Sequence, residues 1–175
     1  MVDGIEFPIF QSQLYDLFGE PNEGQWADDY LRSLDFTEFA EAFRHIQDYE
    51  GNPWRHKIYA HYIMEGPLRK AFRLLCNRGL AEELQTYDGC FNIRRMKGGR
   101  ALSVHSWGLA VDFNAADNPF GGPVNFSDTF IRCFADAGFE PGALWGNPDA
   151  MHFQLPWLRD WRTHYDPRGP VVWEG

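Results

Sequence analysis

Two five-residue stretches, 42 positions apart, restrict the possible folds of this chain more than anything else in it. In Leu109-Ala110-Val111-Asp112-Phe113 the apolar Leu109, Val111 and Phe113 alternate with Ala110 and Asp112. Successive side chains of a strand point to opposite faces, so the pattern predicts a half-buried strand with Asp112 on its open face. Met151-His152-Phe153-Gln154-Leu155 repeats it, with Met151, Phe153 and Leu155 toward the core and His152 and Gln154 opposite. Each strand thus presents one candidate metal ligand on its non-core face. His105 lies seven residues before Asp112, an odd number, so an unbroken strand would place the two on opposite faces. A break is required between them, and Gly108 is its natural site. Asp149 follows Asn147-Pro148, a turn signal able to bring it back toward His152.

Two imidazoles and a carboxylate are the donors of a catalytic zinc site, which needs three protein ligands, an open position and a base nearby. His105, Asp112 and His152 meet the first need, and Asp149 is the acid left over. The same residues also have plainer readings. A histidine on a strand face is commonly a hydrogen-bonded structural residue, and an Asp after Asn-Pro is commonly a turn residue or a cap.

The order Ser103-x-His105-x-x-Gly108-x-Ala110-x-Asp112, followed by Asp149-x-Met151-His152, resembles the zinc D-alanyl-D-alanine carboxypeptidase and L-alanyl-D-glutamate endopeptidase family. That family cuts the peptides of bacterial cell walls and includes many phage endolysins. Tyr87 to Arg94 resembles its substrate-arginine strand, and His105 to Asn114 its first metal segment. Gly138-Phe139, Trp145-Gly146 and Asp149 to Phe153 resemble its closing segment, so the likeness covers about residues 58–156. It implies that His105, Asp112 and His152 hold one Zn2+ and that Asp149 is the catalytic acid. Many relatives carry Glu there, and Asp is one methylene shorter. It implies that Arg94 holds a substrate carbonyl or carboxylate. Arg95 and Arg100 are close enough in sequence to leave the choice of arginine open. Ser103 either supports the site or substrate or is a turn serine, and Trp107 either lines the cleft or belongs to the core.

The resemblance implies hydrolysis of an amide in the peptidoglycan stem peptide. The leading expectation is an L-Ala-D-Glu endopeptidase of endolysin type, the second a D-Ala-D-Ala carboxypeptidase. A third reading, a catalytically silent metal-bound or wall-binding protein, is opposed by the acid kept beside His152. Asp149 would take and return the proton, and Arg94 would steady the oxyanion. Other chemistries lack their signatures. The chain has no Gly-x-Ser-x-Gly or Ser-x-x-Lys for a serine acyl-enzyme, no His-Glu-x-x-His and no Gly-Lys-Ser/Thr phosphate loop.

Composition narrows the partners. A net charge of -9 disfavours nucleic acid, whose phosphates need a basic patch. No apolar run approaches the ~20 residues that span a bilayer, so no membrane insertion is expected. The acidic start Met1-Val2-Asp3-Gly4-Ile5-Glu6 does not read as a secretory signal. The expectation is a monomer made in a host cytoplasm that reaches a thin wall through a pore-forming partner or a virion. Cys76, Cys90 and Cys133 are odd in number and read as free thiols, with Cys90 partly exposed.

At 175 residues the chain fits one domain. The expected parts are a helical N-terminal part over about 1–56, a catalytic core over about 57–156 and a tail over 157–175. Helices are predicted before Gly19, over 36–48, from Pro67 to Gly79, and from a Ser127 cap to Gly138. Strands are predicted near 57–64, 87–95, 109–114 and 151–155. The result is an α+β fold, a small antiparallel sheet carrying the zinc site with helices around it. His61 reads as structural or as supporting the site, His45 and His56 as surface, and His164 as part of the tail.

Overall fold

The computed structural model describes residues 11–157. In chain order the elements are α1 (Gln13–Phe18), α2 (Trp26–Tyr30), β1 (Leu31–Asp35), β2 (Gln47–Asp48) and β3 (Lys57–His61). They continue with α3 (Glu65–Asn77), β4 (Thr86–Gly89), β5 (Ala110–Phe113), α4 (Asp128–Ala137), β6 (Glu140–Pro141) and β7 (His152–Gln154). Short 3-10 turns punctuate them, notably Tyr62–Met64, Val104–Trp107 and Gly142–Leu144. The fold is α+β. Strands β1 and β3 form an antiparallel pair, and a second sheet runs β2-β4-β5-β7-β6. The second sheet is antiparallel from β4 to β6; β2 joins its edge in parallel.

Helices α3 and α4 bury one face each. Leu68, Ala71, Phe72 and Leu75 recur at helical spacing in α3 and are fully buried. Helix α4 begins at Ser127, whose hydroxyl accepts from the Phe130 amide at 3.1 Å. Its Phe130 and Phe134 pack with Phe153 of β7, while Phe72 packs on Phe113 of β5 and on Phe36, Phe43 and Trp54. Each buried aromatic contributes about 1.5–3 kcal/mol. Phe113 and Phe153 therefore anchor one face of the central strands in aromatic core and leave the other free for chemistry.

The helix expected over 36–48 is not one. Phe36, Phe43 and Ile46 do face the core, but the backbone is a 3-10 turn at Thr37–Phe39 followed by further turns. The Asp35 carboxylate caps it, accepting from Thr37 N at 2.8 Å. Phe39 and Ala40 bond three residues back and only Phe43 bonds four back. Gln47 N then pairs with Gln85 O at 3.1 Å, drawing the chain into β2. Sheet pairing overrides the helical period. The N-terminal stretch expected to be helical also contains β1, whose buried Leu31 and Leu34 lie three apart and imitate a helix. Strand β4 stops at Gly89, short of the predicted 95. Helix α3 begins two residues before Pro67. His164 and the tail beyond 157 lie outside the described residues.

Candidate metal centre and cleft

Strands β5 and β7 pair antiparallel with Asp112 directly opposite His152, which puts both side chains on one face. His105 arrives from the 3-10 turn Val104–Trp107. Gly108 ends that turn in the left-handed region at φ +65°. A Cβ there would lie 2.7 Å from the His61 amide nitrogen, so backbone conformation and close packing both demand glycine. The reversal at Gly108 carries His105 to the face of Asp112, as the odd spacing requires.

Three donor atoms converge. His105 Nε2 lies 3.1 Å from His152 Nδ1 and 3.2 Å from Asp112 Oδ1, and His152 Nδ1 lies 3.3 Å from the same oxygen. Ligands about 2.0 Å from a tetrahedral zinc stand roughly 3.3 Å apart, so this triangle matches one face of such a tetrahedron. The tautomers point the same way. His105 Nδ1 is 2.7 Å from the Cys90 carbonyl, an acceptor only, so Nδ1 carries the proton and Nε2 offers a bare lone pair. His152 Nε2 is 2.8 Å from Gln154 Oε1. The Gln154 amide is oriented by its own nitrogen, which donates to Pro156 O at 2.8 Å. His152 Nδ1 is therefore also bare. Asp112 Oδ1 is buried and accepts no ordinary hydrogen bond.

Three lone pairs facing one another inside a protein repel unless a cation sits between them. Burial alone would push the Asp112 pKa up, but the His105 and His152 imidazoles beside it hold the carboxyl well below the usual range. Burial lowers the His152 pKa and the Asp112 carboxylate outweighs it upward. The pocket recruits positive charge, and a single cation answers all three donors at once. Among the described residues this His-Asp-His set is the one cluster arranged to hold a metal.

A cavity of about 460 Å³ opens beside the triangle. Asp112, His152, Asp149, Arg94 and Ser103 all line it. Asp149 is set by its backbone: its amide donates to Gly142 O at 2.9 Å, and its carbonyl accepts from His152 N at 3.0 Å. A Cβ on Gly142 would come within 2.3 Å of Asp149 O, so the approach needs glycine. Asp149 Oδ1 has no hydrogen-bond partner among the described residues. Burial raises its pKa, His152 pulls it down and Asp112 pushes it up again.

Arg94 is near enough for its charge to be felt at Asp149. Its amide donates to Ser106 Oγ at 3.1 Å, which fixes the backbone below the cleft. Arg95 and Arg100 are not in the cavity wall; the Arg95 side chain donates to the Arg100 carbonyl instead. Ser103 accepts from the His105 amide at 3.4 Å and so caps the turn that bears His105.

Trp107 is a correction. It is fully buried and outside the cavity wall, with Nε1 donating to Gly19 O at 3.0 Å and the ring edge-on to Tyr15. It is a core residue. Met151 is another correction: it lies in the turn before β7, half-buried in the cavity wall rather than in the core. Cys90 is buried, not partly exposed. His45 and His56 are half-buried, each placing Nε2 near a main-chain carbonyl, of Leu84 and Phe43 respectively.

Two contributors escaped the sequence reading. Gln154 shares the face of His152 by the two-residue period, and that period was the available signal. The other is a pairing with no local signature: the buried Glu140 accepts from Trp145 Nε1 at 2.6 Å, and the indole packs 5.3 Å from the His152 ring in the cavity wall.

Residues 97–155 match the family model described as D-alanyl-D-alanine carboxypeptidase. The match spans the site-bearing segment, 59 of the 175 residues. All three donors and Asp149 fall inside the match, which indicates a zinc metallopeptidase of the kind that acts on peptidoglycan. Arg94 falls just outside it, and the match is narrower than the resemblance over 58–156. No curated protein and no solved structure matches the chain. No helix of the described residues is long and apolar enough to cross a membrane.

Proposed function

We propose that the chain is a zinc-dependent endopeptidase that hydrolyses the L-Ala-D-Glu amide of the peptidoglycan stem peptide, working as a monomeric single-domain enzyme in an endolysin-type role. His105, Asp112 and His152 hold the zinc. When bound, the ion supplies a Lewis acid and brings the pKa of a bound water to about 7. Asp149 Oδ1 takes a proton from the attacking water and returns it to the departing amine. Arg94 directs its charge at the oxygen that becomes negative. Ser103 keeps His105 in register by capping its turn.

The observation that carries this reading is the convergence of three bare donor atoms beside an Asp149 oxygen without a hydrogen-bond partner. A structural metal site closes its fourth position with protein; here a cavity adjoins it. Digestion of purified peptidoglycan with mass spectrometry of the fragments tests it. New N-terminal D-Glu is expected. Release of terminal D-Ala alone would replace the endopeptidase by the carboxypeptidase, and intact glycopeptide with zinc bound would refute both.

A further inference from the structure

The cleft holds a second cation that the proposed chemistry does not use. Met96 to Gly99 form a tight turn, with Gly99 N bonded to Met96 O at 3.0 Å and Gly98 at φ +74°. The flanking backbone closes through Met96 N to Ala101 O at 2.8 Å. Lys97 therefore stands at the tip of a short hairpin beside Arg94. Its ammonium lies 5.1 Å from the centre of the Phe120 ring, on the loop that follows β5. Lys97 and Phe120 both line the cavity, so the pair bridges its two lips.

Neither Lys97 nor Arg94 takes part in an ion pair among the described residues. Among the described residues the acids of the cavity wall are Asp112, which faces the two imidazoles, and Asp149. With a divalent ion in place the cleft carries a positive excess, on a chain whose net charge is -9. Local charge opposed to the global charge selects for anionic ligands. An exposed cation–π contact and a Lys–carboxylate pair are of similar strength, so the ring does not hold Lys97 against an entering carboxylate.

We infer that Lys97 is a specificity residue, which leaves Phe120 to bind a free carboxylate of the substrate at a point separate from the oxygen steadied by Arg94. The substrate class is thus an acidic peptide with at least one carboxylate beyond the scissile amide. This rests on the peptidase reading above. The test compares L-Ala-γ-D-Glu-L-Lys with both carboxyls free against the same peptide with both amidated, on the zinc-loaded protein. The native protein should favour the free acid in KM by roughly tenfold, with kcat little changed. Lys97→Met should raise KM for the acid alone by that factor and erase the preference, and Lys97→Arg should restore it. Calorimetry with the released γ-D-Glu-L-Lys should show the same order of binding. If the native protein cleaves both peptides equally well, or Lys97→Met keeps the preference, the inference is wrong. If it cleaves neither, the peptidase reading fails. The calorimetry then decides Lys97 by itself, and equal binding of the product by Lys97→Met overturns the inference.

Discussion

His61 makes the acid stability of this protein predictable. Its ring is fully buried among Phe18, Tyr30, Trp26 and Tyr62, with centroids 4.6–6.4 Å away. Nδ1 accepts from the Ile63 amide at 3.3 Å, so Nε2 carries the proton of the neutral ring, and Nε2 has no partner among the described residues. A second proton would bring a charge into that aromatic cage beside the positive Arg32. Burial first, and Arg32 second, depress its pKa to about 4. The unfolded chain titrates near 6.5. Between those values the unfolded state binds more protons, so stability is full above about pH 6.5 and declines as the pH falls toward 4. Two and a half units at 1.36 kcal/mol each amount to roughly 3 kcal/mol, a large part of the margin of an ordinary domain. His61→Asn retains an acceptor for Ile63 N and cannot titrate. Urea unfolding of both proteins in chelator, from pH 7.5 to 4.5, isolates this group, since the metal ligands titrate alike in each. At pH 7.5 the variant should be weaker by about 1–3 kcal/mol through lost packing. That gap should close by about 2–3 kcal/mol on acidification. A gap constant to within about 0.5 kcal/mol would refute the argument.

Other expectations concern the site. His105→Ala should abolish stoichiometric zinc and hydrolysis together, read by metal analysis and peptidoglycan digestion. Asp149→Asn should retain zinc and lose roughly 10²–10⁴ in kcat; hydrolysis at the native rate would remove Asp149 from proton transfer. Gly142→Ala should push the Asp149 backbone aside, costing on the order of 10²-fold in kcat while zinc content stays whole. Gln154→Leu removes the acceptor that fixes the His152 tautomer, and should weaken zinc about 10–100-fold in a competition titration against a chelator.

The site was more legible in sequence than the fold around it, for a physical reason. Strand alternation is a two-residue code, and a functional side chain cannot leave its face without dragging the core residues on either side with it. Val111 and Phe113 therefore placed Asp112, and Phe153 placed His152, before any pairing was known. The parity conflict at Gly108 is of the same kind, since seven residues cannot join two same-face side chains without a reversal. The segment from 31 to 56 carried no such constraint. Leu31 and Leu34, like Phe36, Phe39 and Phe43, recur at intervals that strand edges and 3-10 turns satisfy as well as helices do, and distant pairing with β3 and β4 decided between them. Met151 was misplaced for a related reason, because alternation fails in the turn that precedes a strand.

The acid position shows where local pattern stops being sufficient. An aspartate has one methylene less than a glutamate, so it cannot search for the reacting atoms by rotating a long side chain. Its placement must come from the main chain. The structure supplies that through the Asp149 amide on Gly142, the Asp149 carbonyl under His152, and an approach too close for any side chain at 142. The same carbonyl receives the His152 amide, so motion of Asp149 carries a candidate metal donor with it. A shorter acid on a stiffer mount keeps its distance to the metal centre, and that is why Gly142, which touches neither metal nor substrate, should matter to the rate nearly as much as a catalytic group.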